Sequence, residues 1–244
     1  MRTQRPGRHE LGQNFLIDRN TIETVVKLVA ATGGPIIEFG TGDGALTWAL
    51  ERLGRPLTGI EIDARHAARL ARRVRASTEI ITADYLRFPL PKTPHVLVGN
   101  LPFHLTTATL RHVLAAPGWT DAVLLVQWEV ARRRAGVGGA TMMTAQWWPW
   151  FDFRLAGRVP ATAFRPKPGV DGGLLTMTRR ERPLVEAADL QRYQDFVRRV
   201  FTRPGKEVVP KRLTAHQWAE AFRLRRGNPV RARGVSSNRT GRRR

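Results

Sequence analysis

From Pro35 to Thr47 the chain reads PIIEFGTGDGALT. Ile36 and Ile37 are β-branched and apolar, which favours a short buried strand. The run ends at Glu38, after which Gly40, Gly42 and Gly44 alternate and a helix-forming segment, ALTWALERL, begins. A strand that feeds a glycine turn opening a helix commits this region to a layered α/β fold. The turn then lies beside a crevice suited to a nucleotide-like ligand. The pattern is G-x-G-x-G, and Ala45 stands where a dinucleotide fingerprint has its last glycine. Taken alone the turn is weak evidence, because tight turns need glycine for structural reasons.

The segments that follow continue the alternation. Leu57–Ile62 (LTGIEI) reads as a second buried strand with Glu61 and Asp63 at its end. Glu61 lies 21 residues after Gly40, about where a βαβ nucleotide site has the acid that accepts ribose hydroxyls. A basic helix, DARHAARLARRVRA, leads to a third strand, EIITAD, whose closing Asp84 is placed to accept a bond from an adenine amino group. HVLVGN is a fourth strand, and Asp121–Gln127 (DAVLLVQ) a fifth, followed by the basic helix WEVARRRAG. The tryptophan-rich AQWWPWFDF reads as core, and RVPATAFRPKPGVDGGLLTMTRR as a strand, a Pro-rich loop and a final strand. Near the start, GQNFLID (Gly12–Asp18) is a polar turn before the amphipathic TIETVVKLVAAT, with Asp18 or Asn20 as its cap.

After the fourth strand comes Gly99-Asn100-Leu101-Pro102-Phe103, the most specific motif in the chain. It is a poor way to make an ordinary turn and a good way to present an amide oxygen, a carbonyl and a ring to a planar amine. An exocyclic adenine amine is a weak nucleophile because its lone pair is delocalised into the ring. Two acceptors, the Asn100 side-chain oxygen and the carbonyl after it, bond both N–H groups and pull the nitrogen toward tetrahedral geometry. The ring of Phe103 clamps the base, and orientation of that kind is worth about 7–11 kcal/mol. A base in a stack must first be extruded to reach such a site.

Composition narrows the field. The chain has no cysteine, which excludes disulfides, cysteine-ligated metals and a cysteine nucleophile, including base methylation at a pyrimidine carbon by that route. Only three serines occur, and the six histidines lack metal-ligand spacing, so neither a serine triad nor a metal is expected. No apolar run approaches the ~18 residues of a membrane span, and the basic N-terminus lacks an apolar signal core. A cytoplasmic location follows, with a monomer as the default. The net charge of +21 favours a polyanionic partner, since each phosphate neutralised releases counterions. Residues 181–244 carry 17 basic against 6 acidic side chains. There the pattern turns to helices, ADLQRYQDFVRRVF and a segment around LTAHQWAEAFRL. Residues 1–181 are therefore expected to form the α/β domain. Residues 182–244 are expected to form a small helical RNA-binding lobe, ending in a basic tail over 223–244 with nine arginines and no acid.

GQNFLID, IEFGTGDGALT, GIEID, TADYLRF and GNLPF, in that order, resemble the motifs of the rRNA adenine N6-methyltransferases. The resemblance runs from about His9 to Arg180. It implies a Rossmann-like class I fold that uses S-adenosyl-L-methionine. Matched motif by motif, it implies that Asn14 and Leu16 close over the cofactor and that Gly40 approaches its methionine part, with Gln13 and Gly42 also among the cofactor-binding residues. Glu61 would hold the ribose, with Ile62 beside it, and Asp84 the adenine. Asn100 would touch both cofactor and target amine, with Leu101 and Pro102 completing the motif. Phe103 would stack on the extruded base, with Phe164 as a second aromatic against it; a Phe before a Pro-rich loop equally suits a packing plug.

Two branches of that family share these motifs. One dimethylates adjacent adenines of small-subunit rRNA. The other, the Erm type, methylates an adenine of 23S rRNA beside the peptide exit tunnel and blocks macrolide, lincosamide and streptogramin B binding. The segment from VQWEVARRRAG to RPKPGVDGG and the short arginine-rich tail resemble the second branch. That implies 23S rRNA, naked or in an assembling large subunit, as the partner. A nucleic-acid-binding factor on the same fold without catalysis is the alternative of another class. The presence of Glu61, Asn100 and Phe103 argues against it.

Overall fold

A computed structural model describes residues 14–202 and 212–226. Gln13 and the tail beyond Arg226, both singled out above, lie outside the described residues.

The buried apolar runs become the middle of one sheet. Strand β2 (Ile36–Phe39) is flanked by β3 (Leu57–Glu61) and β5 (His95–Asn100), all parallel. With β4 (Thr78–Thr82), β6 (Trp119–Gln127), β7 (Phe151–Val159) and β9 (Gly172–Arg179), the order is β4-β3-β2-β5-β6-β9-β7. Five strands are parallel, while β9 runs antiparallel between β6 and β7. Alternate residues of β2 and β5 point to opposite faces. Ile36, Val96 and Val98 enter one apolar cluster, and Ile37, Phe39 and Leu97 the other. Both faces must be covered, which explains why these strands are continuously hydrophobic.

Helices α1 (Arg19–Ala30) and α2 (Ala45–Leu50) cover the first face through Val25, Val29, Leu46 and Leu50. Asp18 rather than Asn20 caps α1, accepting from the Thr21 amide at 2.8 Å. α4 (Thr106–Ala115), α5 (Trp128–Arg134) and α6 (Met142–Trp147) contribute Leu110, Val113, Ala131 and Ala145 to the other cluster. The tryptophan-rich stretch is core as expected: Trp150, Phe151 and Phe153 are buried, and Phe151 stacks on Trp119 at 4.7 Å. α7 (Leu190–Thr202) and α8 (Ala215–Arg226) place Tyr193, Phe196, Trp218 and Phe222 in that same cluster. The Tyr193 hydroxyl donates to the Ala145 carbonyl at 2.9 Å, so these helices extend the core of the sheet.

Several elements end sooner than their sequence suggests: α2 gives way to a 3-10 turn after Leu50, and β4 stops at Thr82, leaving Asp84 beyond the strand it was expected to close. α3 is confined to Ala64–Ala71, short of the full DARHAARLARRVRA segment. The buried carboxylate of Glu51 accepts from the Arg75 amide at 2.7 Å and the Thr78 hydroxyl at 2.8 Å, which ends the helix and starts β4. β3 stops at Glu61, leaving Ile62 half exposed beyond it. A separate two-stranded ribbon pairs β1 (Phe15–Leu16) with β8 (Phe164–Arg165), antiparallel. Among the described residues no helix is long and apolar enough to cross a membrane.

Candidate active site

Strand order reverses between β2 and β5, and ligands of open α/β sheets bind beyond the carboxyl ends of strands at such a point. Here those ends carry Gly40, Glu61 and Asn100, and all three line one cavity of about 240 Å³. The ribbon residues Phe15 and Leu16, with the flanking Asn14 and Ile17, also line it.

The glycine turn is required by geometry. Gly42 has φ of 52°, and a Cβ there would come within 3.0 Å of the Phe15 ring. Gly44, at φ of 88°, occupies the cap position of α2 in a conformation that side chains disfavour. At Gly40 an added Cβ would meet no atom within 4 Å, so the space beside it belongs to the cavity. The turn places the Gly42 amide 2.7 Å from Glu61 Oε2, while Oε1 accepts from the Asp63 amide at 2.9 Å. Each oxygen of an ionised carboxylate accepts about two bonds. Glu61 therefore retains one acceptor position on each oxygen, the arrangement a vicinal diol requires. Thr41 Oγ1, on the same wall, is buried with no partner among the described residues. Free acceptors on Glu61 and an unpartnered hydroxyl fit the ribose of S-adenosylmethionine, and the Cβ-sized space at Gly40 fits the close approach of its methionine part.

Asn100 Nδ2 lies 2.8 Å from the Asn14 carbonyl. A carbonyl only accepts, so the amide must turn its NH₂ to Asn14, leaving Oδ1 free to accept from a ligand. The Leu101 amide donates to the Leu125 carbonyl at 3.0 Å, which anchors the motif to β6. Leu101 and Pro102 line the cavity beside Asn100. Phe103 stands just outside the lining, in a single turn of 3-10 helix, half buried. Phe164 meets it edge-on at 6.2 Å and 76°, but is itself only 3% exposed and packs under Gly172. As placed, Phe164 backs Phe103 and does not offer a ring face. Asp84 is outside the lining: its Oδ1 accepts from the Leu86 amide at 2.9 Å, closing a turn after β4. Ile62 is likewise outside the lining.

Sequence reasoning passed over Phe15, Glu38, Thr41 and Trp48, all of which line the cavity. Phe15 covers the glycine turn and stacks on His66 at 5.8 Å. Glu38 carried a signal, since an acid ending a buried β-branched run needs a reason. It is 1% exposed, and Oε2 accepts from the Thr47 hydroxyl at 2.7 Å. Burial pushes its carboxyl up to about 8, helped by the charge of Glu61 and opposed by the Thr47 bond. Among the described residues no three His, Asp or Glu side chains form a metal-binding group.

Known proteins share this architecture. An rRNA adenine N-6-methyltransferase of Corynebacterium diphtheriae is 54% identical over 83% of this chain and 80% of that protein. The mycinamicin-resistance protein MyrB of Micromonospora griseorubida is 41% identical, covering 93% and 85%. The crystal structure of the 23S rRNA methyltransferase ErmE superimposes with a TM-score of 0.79 at 30% identity, over 86% of this chain and 98% of that one. The family described as ribosomal RNA adenine dimethylase matches residues 5–237, and the chain belongs to it.

Proposed function

We propose that this chain transfers a methyl group from S-adenosyl-L-methionine to the exocyclic N6 of a specific adenine in 23S rRNA, giving resistance to macrolide-type antibiotics. The observation that carries the chemistry is the orientation of Asn100, whose amide is held by Asn14 with Oδ1 free at the cavity. When bound, S-adenosylmethionine supplies an electrophilic methyl group on a sulfonium. Gly40 leaves room for it, Gly42 lets Phe15 close on the turn and gives its amide to Glu61, Glu61 accepts the ribose hydroxyls, and Asn14 and Leu16 close over the donor. Gln13, Ile62 and Asp84 are assigned the supporting roles of the family motifs. The Oδ1 of Asn100 and the Leu101 carbonyl accept the two N–H groups of the target amine, which localises its lone pair for attack. Pro102 shapes that corner. Phe103, backed by Phe164, stacks on the extruded base. One N–H proton then leaves to solvent, so no strong base is needed.

Support for the large-subunit branch comes from the relatives themselves: one is named for mycinamicin resistance, and the matching structure is of a 23S rRNA enzyme. The protein is expected to act as a cytoplasmic monomer on naked rRNA or an assembling large subunit. Primer extension on 23S rRNA from cells expressing it, beside an erythromycin susceptibility test, decides the reading. A stop at one tunnel adenine with raised resistance supports it, whereas a small-subunit signal overturns the branch.

A further inference from the structure

Beside the cavity runs a shallow groove between α1 and α2, with Arg19, Ile22 and Glu23 on one side and Ala45, Trp48, Ala49 and Arg52 on the other. Trp48 lines both depressions, so the groove opens on the rim of the cavity. Its indole is 43% exposed, although the helix it stands on is otherwise packed against the sheet. Ala45 and Ala49, its neighbours in the groove, are small. Arg52 is one turn further along the same helical face. Its only ionic partner among the described residues is Glu23 at 2.6 Å, with both side chains about half exposed. Such a pair contributes little, and a stronger anion can compete for the guanidinium. Arg19 is exposed and makes no ion pair with any described residue. The groove thus sets two guanidiniums and a bare indole against one carboxylate.

That set of groups is the chemistry that holds a single-stranded nucleotide, with an aromatic face for the base and arginines for the phosphates. We infer that the Trp48 groove receives a nucleotide flanking the target adenine. Its base stacks on the indole and its phosphates meet Arg19 and Arg52. The inference rests on RNA being the substrate, as proposed above. An extruded adenine leaves its neighbours unstacked, and a surface that takes one of them offsets part of that cost.

The test uses the full chain and a hairpin transcript carrying the 23S rRNA adenine located by primer extension. Methyl transfer is assayed at saturating S-adenosylmethionine, so that a change in donor affinity does not register. Trp48→Ala should raise the KM for RNA about tenfold, within the range of one lost base stack. Trp48→Phe should restore it to within roughly twofold, because a phenyl ring still stacks. Arg19→Gln should reduce the slope of log affinity against log salt by about one phosphate contact. RNA should also quench indole emission in the parent protein, and Trp48→Phe should remove that portion. An unmoved KM for Trp48→Ala, or quenching unchanged in Trp48→Phe, overturns the groove. A parent protein that does not methylate the transcript would instead overturn the proposed function, so the two failures are distinct.

Discussion

The two halves of the cavity are built differently. On the donor side, Gly40, Gly42 and Glu61 come from consecutive strand ends in the middle of the sheet, and every positioning bond lies within that framework. On the acceptor side, Asn100 takes its orientation from Asn14, a residue 86 positions away that directly precedes a ribbon strand only two residues long. Phe103 depends on Phe164 at the other strand of that ribbon. The floor of the donor half is preformed by the sheet, whereas the acceptor half, and the cover over the donor, are assembled by a strap. Damage to the strap should therefore cost both the orientation of Asn100 and the cover over the donor, while the glycine turn and Glu61 keep their geometry.

The sharpest break of this contrast is Asn100→Ala. With no Oδ1 acceptor, kcat should fall by ~10²–10³-fold, the size expected for one preorganised hydrogen-bonding group. RNA binding should stay close to the parent value; full turnover in single-turnover assays would sink the assignment. Phe164→Ala comes next. Removing a buried ring typically costs about 3–5 kcal/mol of stability, and the vacancy should let Phe103 move. A denaturant midpoint that does not shift would show that the site collapses around the loss. Glu61→Gln keeps the shape but removes the charge and one acceptor. Charged hydrogen bonds are worth about 1.5–3 kcal/mol, so donor affinity in calorimetry should fall roughly tenfold or more, with the KM for RNA little changed. An unchanged donor affinity would count against the ribose role.

The smallest effect is read in pH. Glu38 titrates at about 8 in the folded chain against 4.5 for the free side chain. Between those values the folded state holds the extra proton, so Glu38 makes stability fall as pH rises through that window. Thermal melts from pH 5 to 9 should show this decline, and Glu38→Gln should flatten it. A variant with the same slope as the parent would place the titration elsewhere.

The donor half was legible in the sequence because its signals are local. β-branched runs, a glycine turn and an acid at fixed spacing need no knowledge of the rest of the chain, and Gly40, Gly42 and Glu61 fell where expected. GNLPF was legible for the same reason. What stayed hidden depends on tertiary direction. Phe15 and Trp48 read as ordinary apolar residues until the ribbon and α2 turn them to the cavity. Asp84 was expected to end the third strand, but β4 stops at Thr82 and the turn that Asp84 closes holds its side chain outside the lining. The end of α3 was invisible because Glu51, 24 residues from Arg75, decides it.

The bond between Asn14 and Asn100 also has a temporal meaning. Contacts between distant parts of a chain bear the larger loop-closure cost and tend to form late. The ribbon cannot pair before Arg165 has left the ribosome, although β2, β3 and the glycine turn are complete long before. A nascent chain thus has the glycine turn and the ribose acid well before the strap can be fastened over the donor and beside Asn100. Catalytic competence becomes a late signal, one that reports the whole fold has closed.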